Sequence, residues 1–340
     1  MEIFNERIDG IMTALQPISH NRWGVEQSTD ESGFRTIKMA MPVADGDSGE
    51  EVKYETKDVF TISGNAARGL GRTLFFEHNF QQVLNVDWNE IFSEICDEVK
   101  RPEKIRFFHL LFAKGGINPA SLKAKPARAG AYNDAITALP MLDLLGGTYG
   151  AHFVESSLKM GFLIPVTKET QRLMRKDGFD AMPEENLISL EGLKKSESKE
   201  HYLVKMPADD QAENGSTDQH VFWVYSLPAG TRFYFSAQCI SPRKPTILAF
   251  RAFIALLANY GYMGGMSRMG YGRVIYDIPN LDRNAAIQEW DNYLIENRET
   301  IIEAMKALAA DFDTDFDAEK SKQMIQERKK KTSSRVSKKG

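Results

Sequence analysis

A chain of 340 residues, 42% hydrophobic and 26% charged, has an ordinary soluble globular composition with room for two or three core units, or one core with large insertions. Lys plus Arg total 43 against 47 for Asp plus Glu, and the resulting formal charge of −4 argues against a nonspecific polyanion binder. The total divides into +7 over residues 319–340 and −11 over the rest, so any anion-binding surface in the body must be local.

Residues 11–18 read as a first strand, closed by Pro17 and the polar run Ser19-His20-Asn21. Residues 33–43 alternate partly and form a second extended segment, and 44–57 make an acidic loop. The short β-branched run 59–62 stops abruptly at Ser63-Gly64-Asn65. Helical periodicity follows over 66–84 and again over 88–100, where Trp88, Ile91, Phe92, Ile95 and Val99 share a face. A hydrophobic run over 106–112 stops at Gly115-Gly116, and an Ala-rich helix over 127–145 ends at Gly146-Gly147.

Residues 153–166 read as a strand ending near Pro165. The stretch 171–220 holds seven basic and eleven acidic residues and reads as an inserted, mobile arm rather than a second folded domain. Strand character returns over 221–225 and 231–240, then a helix spans 246–260 with Ile247, Phe250, Ile254 and Leu257 on one face. A glycine-rich stretch over 261–272 leads into a strand over 273–278, and one long helix is expected over 282–310, before the charged tail. No internal repeat is visible.

Two cysteines, Cys96 and Cys239, lie far apart with no CxxC, so neither a disulfide framework nor a structural zinc site is expected, and a reducing cytoplasm fits. Residues 1–10 are charged and lack the apolar run of a signal peptide. The most apolar stretch, 247–263, is interrupted by Arg251 and Asn259 and falls short of a membrane span.

Two constellations carry chemistry. In the first, Phe60-Thr61-Ile62-Ser63-Gly64-Asn65-Ala66-Ala67-Arg68-Gly69-Leu70-Gly71-Arg72, a strand feeds a polar turn at which a helix starts. Ser63 or Asn65 can cap that helix, and its free N–H groups favour an anion. Arg68 and Arg72, four apart, share a face, which suits a phosphate; a capped helix with two solvated arginines is the plainer alternative.

The second is Gly261-Tyr262-Met263-Gly264-Gly265-Met266-Ser267-Arg268-Met269-Gly270-Tyr271-Gly272-Arg273. It fits neither GxxxxGK[ST] nor GxGxxG. Its glycines allow close approach of a polyanion to the backbone, Arg268 and Arg273 supply charge, and Tyr262 or Tyr271 can stack on bases. The alternative is a tight connection with its tyrosines packed on the sheet. Lys168 and Arg172 form a further candidate pair, either phosphate contacts or exposed helix charges. Asp45 and Asp47 sit in the acidic loop as candidate metal or ribose contacts, or as solvated charges. The six histidines show no metal spacing, and there is no HExxH, GxSxG or Cys/His nucleophile pattern.

Taken together, three segments resemble the repeat-associated mysterious protein (RAMP) superfamily of CRISPR effector subunits, in its backbone branch, the Cas-seven family. They are Pro17-Ile18-Ser19-His20, Ile62-Ser63-Gly64-Asn65-Ala66-Ala67-Arg68-Gly69 and the glycine-rich Met263–Arg273 stretch. Residues 144–150 (LLGGTYG), 155–161 (ESSLKMG) and 165–170 (PVTKET) are similar to the type IV branch.

The resemblance implies an α+β fold: an RRM-like (ferredoxin-like) palm with helical finger and thumb insertions. The half-palms would cover 1–100 and 223–310, a finger-like insertion and return strand 101–165, a thumb-like arm 166–222 and a charged tail 311–340. It further implies a subunit that polymerises along a guide RNA (crRNA), recognises target nucleic acid by guide pairing, and joins other effector subunits, a helicase among them. Ser63, Gly64, Asn65, Arg68 and Arg72 would hold guide phosphates. Lys168, Arg172, Gly264, Gly265, Ser267, Arg268, Tyr271 and Arg273 would line the same path, with the arm pressing on bases. No cofactor, metal or catalytic residue is implied in the type IV branch. Type III relatives cleave target RNA with an aspartate before the Ser-Gly motif; Asp45, Asp47 and Asp58 stand in that region without an alignable match. An RNA-free structural oligomer is the remaining alternative.

Overall fold

A computed structural model describes residues 2–20, 36–42, 54–91, 129–149, 152–168, 170, 189–196 and 219–313. The chain is a mixture of helices and antiparallel sheet, an α+β fold. Strand β1 (Phe4–Ala14) begins earlier than its apolar run suggests, because Asn5, Glu6 and Arg7 continue the alternation and pair in register with a later strand. The hairpin β2 (Thr36–Pro42) and β3 (Tyr54–Phe60) follows, so the expected acidic loop gives way to strand at Tyr54. Helix α1 (Gly64–Glu77) runs on through a π-type turn (His78–Val83), and α2 (Trp88–Ile91) starts the second predicted helix. The rest of that helix and the 106–112 run lie outside the described residues.

The Ala-rich helix is two helices, α3 (Ala129–Ala138) and α4 (Pro140–Leu145). Leu139, at φ −118°, breaks them apart, because the residue before a proline is pushed out of the helical region. The single strand expected over 153–166 is likewise divided among β5 (His152–Val154), which pairs with β4 (Gly147–Tyr149), then β6 (Leu158–Met160) and β7 (Ile164–Pro165). Ser156 interrupts it by donating from Oγ to the Leu144 carbonyl at 2.7 Å. Within the predicted arm, β8 (Ser189–Ser196) and β9 (Gln219–Ser226) form a two-stranded ribbon.

The chain closes with β10 (Arg232–Ser241), α5 (Lys244–Tyr260), β11 (Val274–Asp277), α6 (Arg283–Glu296) and α7 (Arg298–Asp313). The expected single helix over 282–310 is thus two. Asn297 separates them, its side-chain amide donating to the Tyr293 carbonyl at 2.8 Å in competition with the helix ladder.

The main sheet has the order β11-β1-β10-β6, with β7 also pairing β10, and every pairing is antiparallel. Since α1 lies between β1 and β6 in sequence, and α5 between β10 and β11, two strand-helix-strand units interleave. Strand periodicity decides which residues face the helices. From β1 these include Ile8 and Met12, and from β10 Phe233, Phe235, Ala237 and Cys239, all buried. Behind them an aromatic stack joins the helices: Phe75 of α1 lies 5.6 Å from Trp290 of α6 and 5.8 Å from Phe253 of α5. Each such ring removed from water contributes about 2–3 kcal/mol, which makes this joint the main hydrophobic tie between α1 and the C-terminal helices. Trp290 donates its indole N–H to buried Asn79 at 2.8 Å, so the stack carries no unpaired indole donor.

One buried carboxylate pins α4 to the sheet. Asp143 accepts from Ser241 Oγ at 2.6 Å, Thr246 Oγ1 at 2.7 Å and Arg243 Nη1 at 3.2 Å. Asp143→Ala strands two buried hydroxyls and a partly buried guanidinium, and is expected to lower unfolding stability by about 3 kcal/mol in urea titration. Asp143→Asn, which keeps acceptor capacity, should lose about half of that.

Candidate nucleic-acid interface

The four residues after the turn that ends β1 hold three distant parts of the chain together. Pro17 O accepts from Gly272 N at 2.8 Å, and Ser19 O accepts from Gly265 N at 2.9 Å. Ile18 exchanges two backbone hydrogen bonds with Leu227, at 2.8 and 2.9 Å. His20 accepts from the Ser63 backbone N–H through Nε2 at 3.3 Å. Residues 17–20 therefore touch the start of α1, the β9–β10 connection and both limbs of the glycine-rich loop.

That loop is a short antiparallel ladder closed by a turn. Met263 N donates to Gly272 O at 2.7 Å and Val274 N to Gly261 O at 2.8 Å, which sets Tyr262 opposite Arg273. At the tip, Ser267–Met269 forms one turn of 3-10 helix. Gly264 has φ +87°, and a Cβ there would stand 2.6 Å from the Ser19 carbonyl oxygen, so the approach to residues 17–20 requires glycine.

Helix α1 is seated from the opposite side. A Cβ on Gly64 would lie 2.4 Å from the Met160 carbonyl oxygen, so the helix start rests on the end of β6. Ile62 and Leu163 exchange backbone hydrogen bonds at 3.2 and 2.9 Å, which extends the contact. Ser63 is the N-cap, its Oγ accepting from Ala66 N at 3.2 Å. The capping role read from the sequence thus falls to Ser63, while Asn65 is exposed.

Arg68 and Arg72 do share a face, but that face looks inward. Both guanidiniums donate to the Leu145 carbonyl at the C-terminus of α4, Arg72 at 3.0 Å. A helix C-terminus carries partial negative charge and unpaired carbonyls, so it attracts the two cations. Arg72 is only 4% exposed, and burial followed by the charge of Arg68 lowers its pKa to about 10. Burial also lowers the pKa of half-buried Arg68. Among the described residues, Arg72 Nη1 and Arg68 Nε have no hydrogen-bond partner and no carboxylate pairs with either group. The expectation of solvent-facing phosphate contacts fails to foresee α4, which covers this face and turns Arg72 into a joint between two helices.

Of the other candidates, Lys168, Gly264, Gly265, Ser267, Arg268 and Arg273 are exposed, and Ser63 and Gly64 are buried. Tyr271 is 4% exposed, so its ring offers no open stacking face and packs inward. Arg172, Asp45 and Asp47 lie outside the described residues. Asp58 sits exposed on β3, paired in register with Lys38. Sequence reasoning found Pro17–His20 only through a resemblance and assigned His20 no role. An isolated histidine gives no pattern to count, and its partner is 43 residues away. Among the described residues, no helix is long and apolar enough to cross a membrane.

No family model matches the chain, and no curated protein does. Its fold is similar to a solved structure described as a Type IV-B CRISPR Complex, at 16% identity and a TM-score of 0.45, covering 82% of this chain and 92% of that one. It is also similar to Cmr6 from Pyrococcus furiosus, at 12% identity and a TM-score of 0.34, covering 81% of this chain and 98% of that one.

The seating of the loop on residues 17–20 is testable. Gly264→Ala, strained at positive φ and blocked by a carbonyl, should lower stability by about 2 kcal/mol or more. Ser267→Ala, exposed on the same loop, should stay within about 0.5 kcal/mol, both read from denaturant midpoints.

Proposed function

We propose that this chain binds guide RNA along its phosphate backbone and multimerises to form the spine of a multi-subunit CRISPR effector of type IV character, without catalysis of its own. The observation that carries this reading is the meeting, through residues 17–20, of the three segments on which the family resemblance rests. Segments of which the outermost lie more than two hundred residues apart form one connected element, although each alone has an ordinary structural explanation. The interleaved β11-β1-β10-β6 sheet is compatible with an RRM-like palm, and the β8–β9 ribbon with a thumb-like arm.

The chemistry of this element suits a polyanion held by its backbone. Exposed Gly264 and Gly265 leave main chain open to close approach, and exposed Arg268, Arg273 and Lys168 supply charge. The first turn of α1 adds the exposed amide side chain of Asn65. Arg68 and Arg72 act behind this surface, fixing where α1 begins by tying it to α4. The negative remainder of the body disfavours RNA elsewhere, so binding is confined to the connected element. Sequence recognition then belongs to base pairing of the guide, and the protein reads shape and phosphate. The partners of this reading are guide RNA, paired target nucleic acid, further copies of the chain and other effector subunits, including a helicase.

Purified full-length chain is expected to carry short RNA and to elute as multimers. Its binding constant for a single-stranded RNA should fall with salt at a logarithmic slope of about −3, as for four neutralised phosphates. Arg268→Glu should weaken binding at least tenfold and flatten that slope by about 0.7 or more. A monomeric, nucleic-acid-free protein indifferent to Arg268→Glu would contradict the reading.

A further inference from the structure

Two large aromatic side chains remain open to solvent where the glycine-rich loop leaves α5. Tyr260, the last residue of the helix, is 46% exposed, and Tyr262 is 37% exposed. Their rings meet edge to face, with centroids 5.8 Å apart and planes at 61°. This arrangement leaves aromatic face uncovered on the outside of the pair. The other two tyrosines of this region, Tyr271 and Tyr276, are buried at 4% and 2% exposure, so the open pair is not a general property of the segment.

What surrounds the pair is cationic and apolar. Tyr262 is bridged opposite Arg273 in the position flanked by, rather than joined by, ladder hydrogen bonds. Side chains of such a pair stand close together on one side of the ladder. Arg273 is exposed, and Ile275, two residues along and so on the same side, is 55% exposed. Arg283 approaches from α6, donating to the Tyr276 carbonyl and to Asn259 Oδ1, next to Tyr260. The acidic residue of this strand, Asp277, lies further along and pairs in register with Ile11.

We propose that Tyr262, supported by Tyr260 and flanked by Arg273, is a stacking platform for one unpaired nucleobase. This inference rests on the reading of the chain as an RNA-backbone binder, and adds a base contact to it. An open aromatic face with a guanidinium beside it matches a flat base carried on an anionic strand: the ring takes the base, and Arg273 takes the adjoining phosphate. The stacked base is recognised by its π face, so the contact is tolerant of base identity. Of the two tyrosines that the sequence offers for stacking, the fold turns Tyr271 inward and leaves Tyr262 open.

The test compares a single-stranded RNA of about twelve nucleotides with an abasic strand of equal length, bound by the full-length chain. Wild type is expected to prefer the natural strand by about tenfold, the usual worth of one stacked base. Tyr262→Ala should lose that preference while its affinity for the abasic strand stays unchanged, and Tyr262→Phe should restore it. A 2-aminopurine placed along the strand should be quenched on binding to wild type and not to Tyr262→Ala. Equal affinity for both strands in wild type, or full preference in Tyr262→Ala, overturns the platform and leaves the backbone-binding reading intact. Absence of binding to either strand overturns both. Loss of multimers by Tyr262→Ala with its base preference retained would reassign the patch to a contact between copies, and also overturns the proposal.

Discussion

The arrangement depends on the hydrogen-bonding demand of four residues, Pro17 to His20. Once β1 leaves the sheet, the carbonyls of Pro17 and Ser19 and both backbone groups of Ile18 need partners, since a buried unpaired group costs about 1–3 kcal/mol. They find them in Gly272, Gly265 and Leu227, and His20 reaches the amide at the start of α1. The partners come from three separate stretches of chain, so none of these stretches can shift without stranding a polar group. The loop and the helix start are thereby coupled in position even though they share no sequence neighbourhood.

A second tie works from the inward face of the first turns of α1. Two arginines one helical turn apart converge on a single carbonyl at the end of α4, and Asp143 in the same short helix is held by Ser241, Arg243 and Thr246. The start of α1 is thus located by residues 17–20 and β6, and its first turns by α4, which is itself fixed to the end of β10 and the start of α5. Burying the Arg72 cation is costly, and its lowered pKa reflects that cost, yet at neutral pH the group stays charged.

Much of the fold was legible, for reasons that are local. Alternation revealed β10, and a 3.6-residue apolar stripe revealed α1 and α5 to within a few residues. Breaks were harder to see, because Pro140 and Asn297 sit inside patterns whose periodicity continues on either side. The strand start at Phe4 was hidden because Asn5, Glu6 and Arg7 owe their place to pairing with β10, not to burial. In the site, spacing gave the shared face of Arg68 and Arg72 but not its direction, which α4 determines from some seventy residues away. The same limit applies to the tyrosines: glycine density marked the loop as special, while only the tertiary fold distinguishes buried Tyr271 from open Tyr262.

The central claim is that three remote segments form one RNA-contacting element, and photocrosslinking addresses it most directly. RNA substituted with 4-thiouridine would be bound by the full-length chain, irradiated, and the adducts mapped by peptide mass spectrometry. Adducts are expected to concentrate in peptides spanning residues 17–20, 62–69 and 260–273, and Arg268→Glu should reduce all three groups together. Adducts confined to the basic tail, or spread evenly over the surface, would contradict the claim.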